Sequence, residues 1–317
     1  MHPWGAKRPP AGTVRVHRAP GGPNPSRQDY RNLLFVIAIF LRVWKMQRSR
    51  PQAAGPRIQV SFIQRPNPTG ADDMKFKCTR TLLATLLAAA GATAAADEGL
   101  SANVALASDY LFRGVSQTDN QMAVQGGFDW SHASGFYLGT WASNVDSHFF
   151  PGNDRDPQIE WDLYAGFSGE AGDLGYDLGA IRYVYPGYSN ANTTEVYVGG
   201  TYQVTDGASL GAKVYYSPKL KFAGVSKSAW YLSLDGDFEV VENVKLAGHV
   251  GFSDGNAYDS TASGGLGTNY TDYRIGVSTS LAGVDLDLSW VDTDSDGSTL
   301  FGNLADGRLV LTLSKSF

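Results

Sequence analysis

A short acidic run near the end of the chain has the spacing of a calcium-binding loop. Asp292, Asp294 and Asp296 alternate along the chain and Gly297 follows them, which matches the opening of the twelve-residue loop of calcium hands. The twelfth position is Asn303 instead of a bidentate Glu, and no helical pattern flanks the run. The sequence therefore predicts at most an opportunistic divalent-cation site, or simply an acidic hairpin loop.

Histidine is scarce, which limits acid–base chemistry. Downstream of residue 96 the chain has only His132, His148 and His249. Asp146 and His148 lie close together in a polar stretch and could in principle activate a water molecule or a serine, as in hydrolases. Because no nucleophile motif, second acidic pair or phosphate-binding loop accompanies them, we expect a solvated polar loop. No catalytic residue and no cofactor is predicted.

Charge divides the chain into two parts. Residues 1–96 contain 15 Lys and Arg against 3 Asp and Glu, whereas residues 97–317 contain 11 against 28. A strongly acidic body makes nucleic acid and other polyanions unsuitable partners.

Residues 74–96 have the pattern of a secretory signal peptide. Basic residues precede an apolar stretch, and small residues end at Ala96, where we place the cleavage. Cys78, the only cysteine, would be removed with this segment, which leaves no disulfide. A signal peptide should begin a protein, so we interpret residues 1–73 as an upstream extension that arises from a start-site artefact.

From residue 101 onward, apolar and polar residues alternate with a period of two, which indicates β-strands with one apolar and one polar face. Twelve such runs can be counted. They cover residues 101–113, 121–130, 136–145, 158–168, 175–185, 194–204, 209–216, 228–238, 244–252, 271–281, 284–291 and 307–317. Tight turns follow the even-numbered runs and mostly longer polar loops follow the odd-numbered ones.

This arrangement predicts an all-β fold, a transmembrane antiparallel up-and-down β-barrel of about twelve strands spanning residues 97–317. Aromatic residues on the strands, among them Tyr137, Trp141 and Tyr183, are interpreted as girdles at the two membrane interfaces. Arg182 falls on an otherwise apolar face, and we expect a bulge there. A soluble β-sandwich would show the same alternation but not the signal peptide and alternating loop lengths.

Several segments also resemble a known family. The stretch ASDYLFRGVSQTDNQMAVQGGFDW (107–130), the segments GFYLGTWASNVD (135–146) and EWDLYAGFSG (160–169), and the ending LTLSKSF are similar to the TorF family of proposed porins, also known by the domain name Gcw_chp. The resemblance covers residues 97–317 and implies a proteobacterial outer-membrane channel without catalytic residues or cofactors. It also implies that Phe317 is the C-terminal signal for the outer-membrane assembly machinery, although Lys315 replaces the usual apolar residue.

If the apolar faces of the strands contact lipid, their polar faces line the lumen. The predicted pore-lining residues are Asp109, Asp129, Glu160, Asp162, Glu195, Asp235, Lys245, Asp272, Arg274, Asp285 and Asp287. Carboxylates outnumber cations, and a lumen of one charge sign concentrates counter-ions, so we expect cation preference.

The sequence thus predicts a porin of the Gram-negative outer membrane, a passive channel for small hydrophilic solutes. Its expected partners are outer-membrane lipid, lipopolysaccharide and the assembly machinery. A non-conducting structural or adhesive barrel is the alternative, and an outer-membrane hydrolase is a third possibility.

Overall fold

The computed structural model describes residues 99–146, 157–222 and 224–317, so the predicted signal peptide and upstream extension lie outside the described residues. The described chain is almost entirely β-structure. The strands are β1 (Gly99–Ala107), β2 (Leu111–Phe112), β3 (Val115–Ser116), β4 (Ala123–Ser131), β5 (Phe136–Asn144), β6 (Ile159–Ala171), β7 (Leu174–Val184), β8 (Thr193–Thr205), β9 (Ala208–Phe222), β10 (Val225–Val241), β11 (Val244–Asp254), β12 (Tyr270–Leu281), β13 (Val284–Thr293) and β14 (Arg308–Ser316).

Twelve of these strands form a closed antiparallel barrel, as the period of two predicted. Each strand pairs with its neighbours in chain order, and β1 pairs with both β4 and β14 to close the wall. β2 and β3 form a separate two-stranded hairpin. Closure pairs the strand edges that an open sheet would leave exposed.

The two ends of the barrel differ. Gly99, Phe317 and the tight turns at 132–135, 172–173, 206–207, 242–243 and 282–283 lie at one end, here called the turn end. The longer connections lie at the opposite end, here called the loop end. The predicted alternation of connection lengths holds for the described residues except between β9 and β10, which extend to Phe222 and from Val225 and leave only two residues where a longer loop after residue 216 was expected.

The outward face of the wall is apolar. Large hydrophobic side chains that a soluble protein would bury are exposed here, including Val198 and Leu210 (both 60%) and Phe128 and Ile275 (both 58%). They alternate with residues that face the interior. The barrel is thus oily outside and polar inside, the reverse of a soluble β-barrel with an apolar core.

The bulge expected at Arg182 is absent. β7 pairs in continuous register with β6 and β8 through this position, where Arg182 lies between Leu163 and Thr194. The guanidinium faces outward and donates to the Thr194 hydroxyl at 2.8 Å. Because β7 ends at Val184, the arginine lies near the loop end, where it needs no bulge to reach a polar environment.

The first strand is shorter than the alternation predicted. β1 ends at Ala107 rather than at residue 113, and the following residues leave the wall. Arg113 (φ 50°) and Gly114 (φ 78°) form the two-residue turn between β2 and β3, because positive φ at both central residues suits a type I′ hairpin. We call residues 108–118 the inner hairpin.

The connection between β13 and β14 contains α1 (Ser295–Phe301) and a 3₁₀ turn, Gly302–Leu304; two further 3₁₀ turns are Ser189–Ala191 and Thr261–Ser263. In the described part of the chain, no helix has the length and hydropathy needed to cross a bilayer.

A small hydrophobic core lies at the loop end. Its buried members are Val115, Leu220, Ala229, Ala257, Tyr258, Tyr270 and Ala305, and side chains of α1 pack against them. Val115 belongs to the inner hairpin, so this cluster fixes the hairpin tip to the loops above the barrel.

Candidate functional site

The predicted pore-lining residues on the strands share the inward face of the wall. Asp129, Asp162, Asp235, Arg274 and Asp287 occupy the wet positions of five different strands. The remaining predicted residues on inward positions are Glu160, Glu195, Lys245, Asp272 and Asp285. Asp109 also points inward, but it belongs to the inner hairpin and not to a strand of the wall.

A row of tyrosines crosses the same inward face. Tyr197, Tyr215 and Tyr231 are directly opposite one another on β8, β9 and β10. Their ring centroids lie 5.5 Å and 6.1 Å apart. We call these three residues the tyrosine row.

The tyrosine row holds a cation at each end. The Lys213 ammonium lies 5.0 Å from the Tyr197 ring centroid, and its Nζ is 2.6 Å from Asp177. The Arg113 guanidinium lies 4.2 Å from the Tyr231 centroid and 5.5 Å from that of Tyr215. Aromatic faces attract cations because their quadrupole is negative there, so each ring stabilises the cation beside it.

Glycines make room for the lumenal tyrosines. A methyl group at Gly179 would lie 2.6 Å from the Tyr197 hydroxyl, and one at Gly251 would lie 2.0 Å from the Tyr231 hydroxyl. Any larger residue at these two positions would push the ring away from the wall. The glycines inside the strands therefore set the orientation of the tyrosine row.

The inner hairpin crosses the lumen. Tyr110 donates to Glu160 on β6 at 2.7 Å, and the Arg113 carbonyl accepts from Tyr270 on β12 at 3.0 Å. Gly114 lies against Thr293 on β13. Contacts of one short segment with widely separated strands place it across the interior of the barrel rather than above it.

Arg113 at the hairpin turn lies in a cage. Its Nη2 is 2.6 Å from Glu195 Oε2, and both side chains are buried, at 7% and 1% exposure. Tyr183 donates to the same carboxylate oxygen at 3.1 Å, and the Phe112 ring lies 4.7 Å from the guanidinium carbon. We call Glu195, Tyr215 and Tyr231, with Phe112, the Arg113 cage.

The base of the hairpin is held by a second buried ion pair. Arg308 on β14 donates to Asp109 Oδ2 at 2.9 Å, while Ser116 and Thr118 donate to Oδ1. Burial raises the pKa of Asp109, which lies outside the strands, although the Arg308 guanidinium opposes this effect. The pair fixes where the chain leaves β1.

Negative charge exceeds positive charge beneath the hairpin. Glu160 is 2% exposed and accepts hydrogen bonds from Tyr110 and Tyr185. Asp162 is 4% exposed, and its Oδ1 accepts no hydrogen bond from the described residues. These carboxylates are covered by the hairpin rather than bathed by lumenal water.

The interpretation of the strand aromatics as membrane girdles is wrong for several of them. Tyr137, Trp141 and Tyr183 face the lumen, where Tyr137 donates to Asp177 and the Trp141 ring contacts Tyr110. A polar hydroxyl or a nearby carboxylate allows an aromatic side chain to line a wet interior. Outward aromatics such as Trp130 and Trp161 remain consistent with the girdle interpretation.

The acidic run at residues 292–297 forms a helix cap. The Asp294 carboxylate accepts from the backbone N–H groups of Asp296, Gly297 and Thr271, an N-cap arrangement. Among the described residues, no cluster of three or more His, Cys, Asp or Glu side chains could hold a metal ion. The three aspartates are thus not brought together, because a short helix starts within the run.

Of the two residues considered for hydrolysis, His148 lies outside the described residues. The Asp146 backbone N–H donates to the Gln117 carbonyl at 2.8 Å, which joins this loop to the inner hairpin.

A cleft of about 320 Å³ opens at the loop end beside the hairpin. Its lining includes Gln117, Tyr188, Asn190, Lys221 and Ser226. It lies between the β7–β8 loop and the β9–β10 connection and has both polar and aromatic walls.

A family model described as "Bacterial protein of unknown function (Gcw_chp)" matches residues 91–317. The chain belongs to the Gcw_chp family. The twelve-stranded barrel and its inner hairpin are therefore the structure of a Gcw_chp protein. No curated protein sequence matches this Gcw_chp chain significantly.

Solved structures similar to this Gcw_chp protein include outer-membrane channels. "KdgM porin in complex with disordered oligogalacturonate" is 11% identical, with a TM-score of 0.47, and the match covers 68% of this chain and 99% of that one. A NanC porin is 9% identical, with a TM-score of 0.43 over 68% and 98% of the two chains. The channel DcaP of Acinetobacter baumannii is 15% identical, with a TM-score of 0.36 over 65% of each chain.

Sequence reasoning missed Arg113, Lys213 and the tyrosine row. The Arg113-Gly114 pair at the end of the first predicted run was the signal for a turn. The tyrosines were at wet positions of their strands, which was the signal that they face the lumen.

Proposed function

We propose that this protein is an outer-membrane channel for small hydrophilic solutes and that it prefers cations to anions. The observation that carries the proposal is the lumenal wall, where a row of tyrosines and an excess of carboxylates surround the barrel interior. Ring faces and carboxylates both lower the energy of a cation in a confined space.

The outward face supports insertion in a membrane. A closed barrel satisfies every backbone hydrogen bond within the wall, as a bilayer demands, and its exposed apolar side chains would meet lipid. The turn end would face the periplasm and the loop end the exterior, since barrels of this kind have short periplasmic turns and long outer loops.

Charge in the accessible lumen supports cation preference. The Asp235 side chain is 52% exposed, and Asp177 and Asp287 are about a quarter exposed, at 27% and 24%. All three are paired with a cationic side chain: Asp235 with His249, Asp177 with Lys213 and Asp287 with Arg274. Asp129 and Asp285 also face the lumen and form hydrogen bonds but no ion pair with the described residues, so we expect a negative mean potential in the channel.

The inner hairpin makes the channel narrow. A twelve-stranded barrel has an interior only moderately wider than one of eight strands, which side chains alone fill. A hairpin across that interior leaves passage for small ions more readily than for large solutes. The same observation supports a second candidate, a closed barrel that displays its loops and does not conduct.

Planar-bilayer recording in a potassium chloride gradient tests the proposal. We expect discrete channel openings, with a reversal potential whose sign shows that potassium crosses more readily than chloride. A folded barrel that inserts but never conducts would favour the second candidate, and anion preference would contradict the charge argument.

A further inference from the structure

We propose that the lumen contains a binding site for small guanidinium cations and that Arg113 occupies this site as a tethered ligand. A guanidinium-bearing solute would then compete with Arg113 and loosen the tip of the inner hairpin. The effect on conductance rests on the channel function proposed above, whereas the binding itself does not.

The walls of the site belong to the barrel. Glu195, Tyr215 and Tyr231 lie on β8, β9 and β10, three consecutive strands of the wall. Tyr183 on β7 orients the Glu195 carboxylate through its hydroxyl. Only Phe112 and Arg113 itself come from the hairpin. If the hairpin moves away, the carboxylate and two ring faces stay in place.

The chemistry of these walls selects a guanidinium group. Glu195 is 1% exposed, so it requires a cation that brings its own hydrogen-bond donors. The rings of Tyr215 and Tyr231 offer faces on which a flat, weakly hydrated cation can lie. A guanidinium meets both demands, and Arg113 demonstrates the fit.

Besides the ion pair in the cage, the tip of the hairpin is held by neutral contacts, among them the Phe112 ring centroid 5.6 Å from that of Tyr183 and Gly114 against Thr293. Tyr270 donates to the Arg113 carbonyl, and Val115 packs in the loop-end cluster. The base is fixed separately by Asp109 and Arg308. A solute that replaces Arg113 would take over the ion pair of the tip while the base stays attached, so the tip would be held less strongly and the lumen could widen without unfolding the barrel.

Calorimetric titration of the folded protein with methylguanidinium tests the site. The Arg113→Ala variant empties the cage, and saturable binding is expected in it. Adding Glu195→Gln to that variant should weaken binding at least about tenfold, because a charge-assisted hydrogen bond is lost. Arg274→Ala is the matched control, since it removes a lumenal arginine but leaves Arg113 in its cage, and it should bind no better than the unchanged protein.

Any of three results would overturn the proposal. One is a folded Arg113→Ala barrel that shows no saturable binding of methylguanidinium. The others are equal binding by Arg113→Ala with and without Glu195→Gln, and equal binding of methylammonium, because either would mean that the cage is not selective.

Refolding provides a second measurement if Arg113→Ala does not fold alone. Millimolar methylguanidinium should then restore a folded barrel, since it would neutralise the buried Glu195, whereas methylammonium at the same ionic strength should not. Absence of this selective recovery would refute the site.

Bilayer recording separates the site from the channel. In a conducting protein, methylguanidinium should change the open-channel current of Arg113→Ala and leave that of the double variant unchanged. Binding without conductance would preserve the site and refute the channel. Conductance without binding would preserve the channel and refute the site.

Discussion

Asp109 and Arg308 join the first and last parts of the barrel through an ion pair that spans 199 residues of sequence. The Arg308 guanidinium donates to the Asp109 carboxylate at 2.9 Å. The Arg308 side chain is 9% exposed and the Asp109 side chain is 1% exposed. This pair connects the inner hairpin to the strand that closes the barrel, so folding of the hairpin and closure of the wall depend on each other.

Removing one partner of this pair should destabilise the protein. Arg308→Leu would leave Asp109 buried without its cation, which typically costs about 3–5 kcal/mol. We expect a lower melting temperature, measured by loss of the compact, heat-resistant band on a gel. The double variant with Asp109→Leu should recover part of the loss. Arg274→Ala, at a more exposed pair, should have a smaller effect; equal losses for both arginines would argue against burial as the cause.

Two glycines on β11 test whether the tyrosine row needs the space that a glycine leaves beside it. Gly251→Ala would place a methyl group against the Tyr231 hydroxyl, whereas Gly248 has no atom within 4 Å of the corresponding position. We expect Gly251→Ala to cost about 1–3 kcal/mol and Gly248→Ala to stay within about 0.5 kcal/mol. Chemical unfolding followed by tryptophan fluorescence measures both. Similar free energies of unfolding for the two variants would show that the Tyr231 ring moves aside at no energetic cost.

Neutralising exposed lumenal carboxylates should weaken cation preference. In Asp235→Asn/Asp285→Asn, the reversal potential in a salt gradient should move towards zero, because two charges leave the lumen. The shift should be larger at low salt, since the Debye length is about 30 Å at 0.01 M and about 10 Å at 0.1 M. Asp173→Asn, in a turn outside the lumen, is the control. A shift of the same size in the control would assign selectivity to the turn end.

The role of Asp294 can be separated from calcium binding. Because Asp294 is a helix N-cap, Asp294→Ala should lower the free energy of unfolding by about 1 kcal/mol. The melting temperature should fall by the same amount with calcium and with chelator. A calcium-dependent rise in melting temperature that Asp294→Asn abolishes would instead support the divalent-cation site.

Phe317 should matter for assembly rather than for stability. Its side chain is 64% exposed, and its backbone already pairs with Ala102 in both directions. We expect Phe317→Ala to reduce the amount of barrel inserted in outer membranes while the refolded variant melts normally. A lower melting temperature of the refolded variant would assign Phe317 a structural role.

The sequence alone determined the wall of the barrel. Alternation with a period of two specifies which residues of a strand share a face, and short turns specify that consecutive strands pair. Both are local properties, so the twelve strands and most of their connections could be predicted. Glu160, Asp162 and Glu195 could likewise be assigned to the inward face from their strand positions.

Only the tertiary structure decided what fills the barrel. Residues 108–113 continue the alternation of β1, yet they leave the wall because Asp109 finds Arg308 and Arg113 finds Glu195, partners that are distant in sequence. The partners of Tyr137, Trp141 and Tyr183, which are Asp177, Tyr110 and Glu195, also come from other strands or from the inner hairpin. Alternation specifies which face of a strand an aromatic ring occupies but not which cation or carboxylate it lies against, because those partners meet only after the barrel has closed.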